Sequence, residues 1–294
     1  MYFAEYVSIE LERLSVPLLT ETALYIFLHE KYVDAMSGVA VVTRLPQEFG
    51  YLQFRRVVRQ LAKRNVISPD VEFKSAVWQN LMVPPAATAE DAFCLVDPYA
   101  YIAYLSAMQW YGFTNRSATE LQIVSLADSM WRHERIKDLK TEIPIGLTGK
   151  EFPMPHRIGI RKTLRGRKID FHKTTRPLET VRVRGTHTRI TTKGSTFVSM
   201  LSEPQYCGGM RHVIDVFKEN YSLNSVEILN SIEKFGSDIA KVRAGYIIDE
   251  LIKDGDDVTN RWLKLAQRGG SRKLDPQKPY GTSFSEKWMI ATNV

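Results

Sequence analysis

The stretch Tyr51-Leu52-Gln53-Phe54-Arg55-Arg56-Val57-Val58-Arg59-Gln60-Leu61-Ala62-Lys63-Arg64-Asn65-Val66 decides how this chain is read. Phe54, Val57, Val58 and Leu61 stand at i, i+3, i+4 and i+7, which is one apolar stripe of a helix. The remaining circumference carries Gln53, Arg55, Arg56, Arg59, Gln60, Lys63 and Arg64, with no acid from Tyr51 to Val66. Surface helices ordinarily mix both signs of charge. This one has an apolar side that can dock and a cationic side that stays free.

Working upstream, Leu24, Phe27 and Leu28 recur at helical spacing after Thr20, an N-cap residue followed by an acid, Glu21. That pattern fades after Val33, and Gly38 to Val42 is short and apolar. Pro46 is expected to open the basic helix, since its missing N–H costs nothing at the first helical position. Downstream, Val66–Phe73 and Val77–Met82 read as two short strands, with Ser68-Pro69-Asp70 as an early kink. Helix, helix and hairpin in that order predict a winged helix-turn-helix domain over residues 1–86. Pro84-Pro85-Ala86-Ala87-Thr88 then reads as a linker, because consecutive prolines forbid helix. The chain is thus expected to be α+β, with a larger mixed α/β domain at 87–294 that has antiparallel strands and C-terminal helices.

Within 87–294, Asp97-Pro98 predicts a capped helix running to Gly112, and Met130 to Lys140 predicts another. Leu121–Val124 is compatible with strand or helix. From Arg157 the period becomes two, with Ile158 and Ile160, Ile169 and Phe171, and Val181 and Val183 alternating, and Arg165-Gly166 as a turn. Strands are therefore expected over 155–195 and helices over 210–268. Met210, Val213, Ile214 and Phe217 form a helical stripe. Asn224 with Glu227 has the spacing of a capping box, Gly236 is a stop and Ser237 a new cap. Gly269 to Pro279 is expected to be a loose segment.

Over 294 residues, 44% hydrophobic and 25% charged side chains exclude a disordered chain, a fibre or a coiled coil. No apolar run approaches the ~20 residues that cross a bilayer. Met1 to Leu14 lacks a secretory pattern, and two cysteines, Cys94 and Cys207, suit a reducing cytosol. A soluble cytoplasmic protein is expected. The net charge of +7 is concentrated: Arg157 to Lys193 holds 12 basic residues and two acids, Asp170 and Glu179. Such a field attracts polyanions or an acidic partner. Arg157, Arg161, Lys162, Arg165, Arg167 and Lys168 are its candidate surface, open to three roles: a longer DNA footprint, a toxin contact, or a seat for RNA.

Groups that carry chemistry are sparse. Gly146-Leu147-Thr148-Gly149-Lys150-Glu151 is too short for a phosphate-binding loop and reads as a turn. Asp70, Glu72 and Lys74 have the letters of a nuclease site but share one extended run, so they read as solvated hairpin residues. His29, His133, His156, His172, His187 and His212 never pair at i, i+4, and His172 beside Asp170 is the one pair worth pursuing. Cys207-Gly208-Gly209 reads as a sharp turn. No enzyme, cofactor or metal is expected.

Three stretches together resemble the AbiEi-type antitoxins of abortive-infection (type IV) toxin–antitoxin systems. They are Asp97-Pro98-Tyr99-Ala100-Tyr101 through Ser106-Ala107 to Tyr111-Gly112-Phe113-Thr114; Thr196-Phe197-Val198 through Pro204 to Cys207-Gly208-Gly209; and Arg243-Ala244-Gly245-Tyr246 with Glu250. Ala244 stands where leucine is usual in that family, and Ser199 where aspartate is common. The resemblance implies a phage-defence repressor that autoregulates its operon through promoter inverted repeats and counteracts a co-encoded nucleotidyltransferase-like toxin. Its partners would be double-stranded DNA and that toxin, with no membrane. Arg and Gln on the basic helix suit base edges in the major groove, and Lys63 and Arg64 suit phosphates. Lys74 on the wing suits backbone or minor groove. Two other classes stay open: a non-catalytic protein-interaction module, and a metal-dependent nuclease-like enzyme.

Overall fold

The computed structural model describes residues 1–75, 77–142, 153–255, 257–266 and 272–294. In chain order the main elements are α1 (Phe3–Leu14), β1 (Leu18–Thr20), α2 (Glu21–Met36), α3 (Tyr51–Lys63), β2 (Ile67–Pro69), β3 (Val77–Asn80) and α4 (Ala89–Val96). They continue as β4 (Tyr101–Ile102), α5 (Tyr104–Trp110), β5 (Leu121–Leu126), α6 (Asp128–Glu142), β6 (Ile169–Thr174), β7 (Thr180–Arg182) and β8 (Arg189–Thr191). Helices α7 (Lys193–Ser202), α8 (Met210–Phe235) and α9 (Asp238–Gly245) follow. The fold is mixed α+β. The turn expected at Gly146–Glu151 and the start of the loose segment at Gly269 lie outside the described residues.

Contacts gather the chain into two units, Met1–Ala100 with Ser125–Ile169, and Tyr101–Val124 with Asp170–Val294. A cut at 86/87 divides the chain once, whereas each unit takes two separate stretches. The first unit runs past the proline segment because α4 packs on β1.

In the first unit, α1 precedes the elements expected from the sequence, with Phe3, Val7 and Leu11 at helical spacing and buried. Thr20 caps α2 by accepting from the Ala23 N–H at 3.2 Å. Helix α3 begins at Tyr51 after Gly50, not at Pro46 as expected. The reason is tertiary: Tyr32 Oη donates to the carbonyls of Pro46 at 3.0 Å and Gln47 at 2.9 Å, and Phe49 is buried against Phe3, Tyr25 and Tyr32. The predicted hairpin forms as β2 and β3, and β1 joins it antiparallel in the order β1-β3-β2. Asn80, buried on β3, donates to Leu11 O at 2.8 Å and Val16 O at 3.1 Å, tying that sheet to the end of α1.

The loop between β2 and β3 is fastened by a segment far along the chain. Lys74 N–H donates to Gly159 O and Arg161 N–H to Glu72 O, each at 2.8 Å, around a Phe73–Ile160 bridge. Arg165 pairs with Asp70 at 2.7 Å, also with Glu72, and donates to Ala86 O at 2.9 Å. Arg165-Gly166 is the expected turn, both residues at positive φ, closing a Leu164–Arg167 bridge. The strand expected at Ile158 and Ile160 is absent beyond the single bridge at Ile160, because that segment spends its backbone groups on the hairpin loop.

Of the helix expected from Pro98 to Gly112, only α5, Tyr104–Trp110, forms, after β4. Asp97 ends α4 instead, and its carboxylate accepts from Ser125 Oγ at 2.8 Å, Trp131 Nε1 at 2.9 Å and the Tyr99 N–H at 3.0 Å. In the second unit, β4 then enters a five-stranded sheet ordered β6-β5-β4-β8-β7, mostly antiparallel but with β4 parallel to β8. Leu121–Leu126 is strand, and all six residues are buried, which explains why it shows no alternation. The Met210 stripe is buried as expected. Asn224 is not a cap: α8 continues through it with a kink, its Nδ2 donating to Asn220 O at 3.0 Å, while Glu227 accepts from the Gly194 N–H at 3.2 Å. Helices α7 and α8 approach so closely that a Cβ on Gly194 would stand 2.3 Å from Ser231 Oγ. Gly208 and Gly209 both have positive φ, and so make the turn expected there.

Burial raises the Asp70 carboxyl, but hydrogen bonds from Arg165, Gln79 and the Glu72 N–H outweigh it and hold the group below its ordinary range. A carboxyl depressed on folding adds stability above its unfolded value and loses it in acid. Arg165→Met leaves Asp70 buried without its cation, at a cost of about 3 kcal/mol. Urea titrations are expected to show that loss at neutral pH, and to show it shrinking below pH of about 4 as Asp70 protonates.

Candidate nucleic-acid interface

Helix α3 is 13 residues long, and its buried residues are Phe54, Val57, Val58 and Leu61, as its spacing requires. Phe54 is 2% exposed and packs on Tyr25 with ring centroids 5.1 Å apart, and on Tyr51 at 5.7 Å. Tyr51 Oη donates to Glu21 Oε1 at 2.9 Å, which joins the start of α3 to the start of α2. With that stripe docked, Arg55, Arg56, Arg59, Gln60 and Lys63 are exposed and Gln53 is half-buried. Arg64 is exposed too, but it pairs with Glu5 of α1 at 3.3 Å, a contact the sequence reading missed along with α1. Among the described residues, no carboxylate stands within ion-pair distance of Arg55, Arg56, Arg59 or Lys63. The first turn of α3 holds no acid either, so the peptide N–H groups at its start add to the positive field.

The second basic group is largely dismantled by folding. Arg165 is the latch on Asp70 and Glu72; Arg167 pairs with Glu90 at 2.9 Å; Arg157 donates to Leu126 O, lies 3.7 Å from Asp128 and covers the Trp131 ring at 5.5 Å. Arg161, Lys162 and Lys168 remain exposed, and Lys74 is exposed on the hairpin loop. A run of cations along the chain does not reveal which acids fold back onto it, and these four acids lie 29 to 95 positions upstream of their partners.

The residues singled out for chemistry have structural surroundings. Asp70 is 4% exposed and Glu72 half-buried, both paired with Arg165, so of the solvated hairpin residues expected at Asp70, Glu72 and Lys74 only Lys74 is exposed. His172 Nε2 lies 2.9 Å from Asp170 Oδ2, and its ring packs on Tyr104 and Tyr206 with centroids 5.1 and 4.2 Å away. Among the described residues no group of three or more His, Cys, Asp or Glu is arranged to hold a metal ion, and no helix is long and apolar enough to cross a membrane. Several residues quoted for the family resemblance hold the second unit together. Arg243 is buried and donates to Leu201 O at 2.6 Å, Gly245 leaves room for the Trp288 ring, and Glu250 accepts from Ser285 Oγ at 2.5 Å.

No family model matches the chain, and no curated protein matches it. Among solved structures, the chain is similar to the RV2827C protein from Mycobacterium tuberculosis, at 12% identity over 98% of this chain and 90% of that one, with a TM-score of 0.45.

The two sides of α3 are expected to respond differently to truncation. Leu61→Ala removes a fully buried side chain and costs about 2–5 kcal/mol, whereas Arg55→Ala or Arg59→Ala changes stability by roughly 0.5 kcal/mol or less. Chemical denaturation of the three variants measures the contrast.

Proposed function

We propose that residues 1–86 act as a winged helix-turn-helix that binds double-stranded DNA, with α3 in the major groove. The observation that carries this reading is a docked helix with three arginines and a lysine exposed and unpaired by any described carboxylate. The element order supports it: helix, strand, helix, helix and hairpin, with β1 closing the sheet against β3, leaves α3 supported behind and free in front. One feature is unlike a short helix-turn-helix: residues 37–50 join α2 to α3 where three or four residues usually suffice, and Tyr32 and Phe49 hold that connection in place. A 13-residue helix spans about 20 Å and fits a groove about 12 Å wide. Arg55, Arg56, Arg59, Gln53 and Gln60 read base edges, Lys63 meets phosphate, and Arg64 is shared with Glu5.

Together with the family resemblance, this makes the protein a non-enzymatic cytoplasmic repressor and antitoxin. It autoregulates its operon through promoter inverted repeats and counteracts a co-encoded nucleotidyltransferase-like toxin. Arg161 and Lys162, beside the hairpin loop, extend the DNA footprint.

Gel shifts with the DNA upstream of the gene test the first claim. Replacing Arg55, Arg56 and Arg59 together by alanine is expected to abolish the shift while the far-UV spectrum and melting curve stay unchanged. Each base-reading arginine should contribute about 1–3 kcal/mol and Lys63 should mainly lower the salt slope. An unaltered shift removes α3 as the reading element, and failure of the wild type to bind at low salt favours a protein-interaction module. Arg161→Glu with Lys162→Glu should weaken repression; lost toxin neutralisation with intact repression would assign those residues to the partner instead.

A further inference from the structure

A solvent-accessible cavity of about 440 Å³ opens in the second unit, between strands β4 and β6 and helices α7 to α9. That volume falls within the range of small-molecule sites. Tyr101, Tyr104, Leu178, Val198, Phe235 and Ile239 give it an apolar and aromatic wall. Tyr104 holds its place there at a backbone cost: its φ is +54°, the left-handed region that bulky residues avoid. Its ring is braced edge-on by His172 and tilted against Tyr206, both at 5.1 Å between centroids. Strain of this kind collects at ligand clamps.

The polar lining has one dominant sign. Lys173 and Arg176 line the cavity and are exposed, against one lining carboxylate, Glu203, which accepts from the neutral Gln205 Nε2 at 2.6 Å and keeps its charge. Ser202, Thr175 and Ser237 add hydroxyls around the same space. Burial pushes the Tyr101 phenol up to about 12 and the Tyr104 phenol well above its ordinary value, so both are neutral at physiological pH.

We propose that this cavity binds a small organic anion with a flat aromatic body, packed on Tyr104 and Phe235 with its acid group at Lys173 and Arg176. Aromatic walls favour a π-face, the Arg176 guanidinium and the Lys173 ammonium in the same lining favour phosphate or carboxylate, and the lining hydroxyls suit a polar edge. No residue of α3 lines this cavity, so the proposal is tested independently of DNA binding.

Isothermal titration calorimetry of the full chain with adenosine monophosphate and, separately, with indole-3-acetate tests this. At least one probe is expected to bind one-to-one below about 1 mM. Arg176→Ala should weaken it about tenfold, the loss of one charge-assisted hydrogen bond. Ser202→Trp, which fills the space, should abolish binding, with melting curves confirming that both variants fold. Binding of the nucleotide alone identifies a phosphate ligand, and of indole-3-acetate alone a carboxylate. The proposal is overturned if neither probe binds the wild type, or if the bound probe is indifferent to Arg176→Ala.

Discussion

The contact of Phe54 with Tyr25, inside a cluster that includes Phe3, Tyr32 and Phe49, is the constraint on which the first unit depends. Each large apolar side chain of α3 committed to that cluster is worth about 1.5–3 kcal/mol. Rotating the helix to hide its arginines would expose those groups and bury unpaired guanidinium charges, a far larger cost. The cationic side therefore faces outward because the alternative is forbidden, whatever it binds. Phe49 and the Tyr32 hydroxyl set where the helix begins, so the aromatic cluster controls both the orientation and the register of Arg55, Arg56 and Arg59.

Arg165 shows the same physics with the opposite outcome. It comes from the most basic stretch of the chain, yet it turns inward because two carboxylates and a carbonyl await it. Burying it is tolerable only with that complete set of partners. Its reward is organisation: one side chain joins the β2–β3 loop, the proline segment and the turn at Arg165-Gly166, and leaves Arg161 and Lys162 exposed beside the loop. Clustered charge in a sequence thus divides on folding into charges that staple the structure and charges that remain available.

Elements carried by local periodicity were legible. The stripes of α3 and α8, the Thr20 and Ser237 caps, the β2–β3 hairpin and the turn at Gly208-Gly209 follow from spacing and backbone preference over a few residues. Elements that depended on distant partners were not. Asp97 looks like a helix cap but is captured by Ser125 and Trp131; Asn224 looks like a cap but sits in a kink because Glu227 is engaged by Gly194; Pro46 looks like a helix start but Tyr32 holds its carbonyl. In each case a side chain or backbone group from elsewhere outbid the local preference.

The amino-acid order alone determined that α3 is a helix with one greasy and one cationic side, since side-chain period and charge are properties of neighbouring positions. Only the folded arrangement decided which cations stay exposed, which acids cancel the rest, and that Tyr104, Phe235, Lys173 and Arg176 enclose one cavity. Those outcomes rest on contacts between residues many tens of positions apart. Burial and dielectric, which set their strength, have no value until the chain has closed around them.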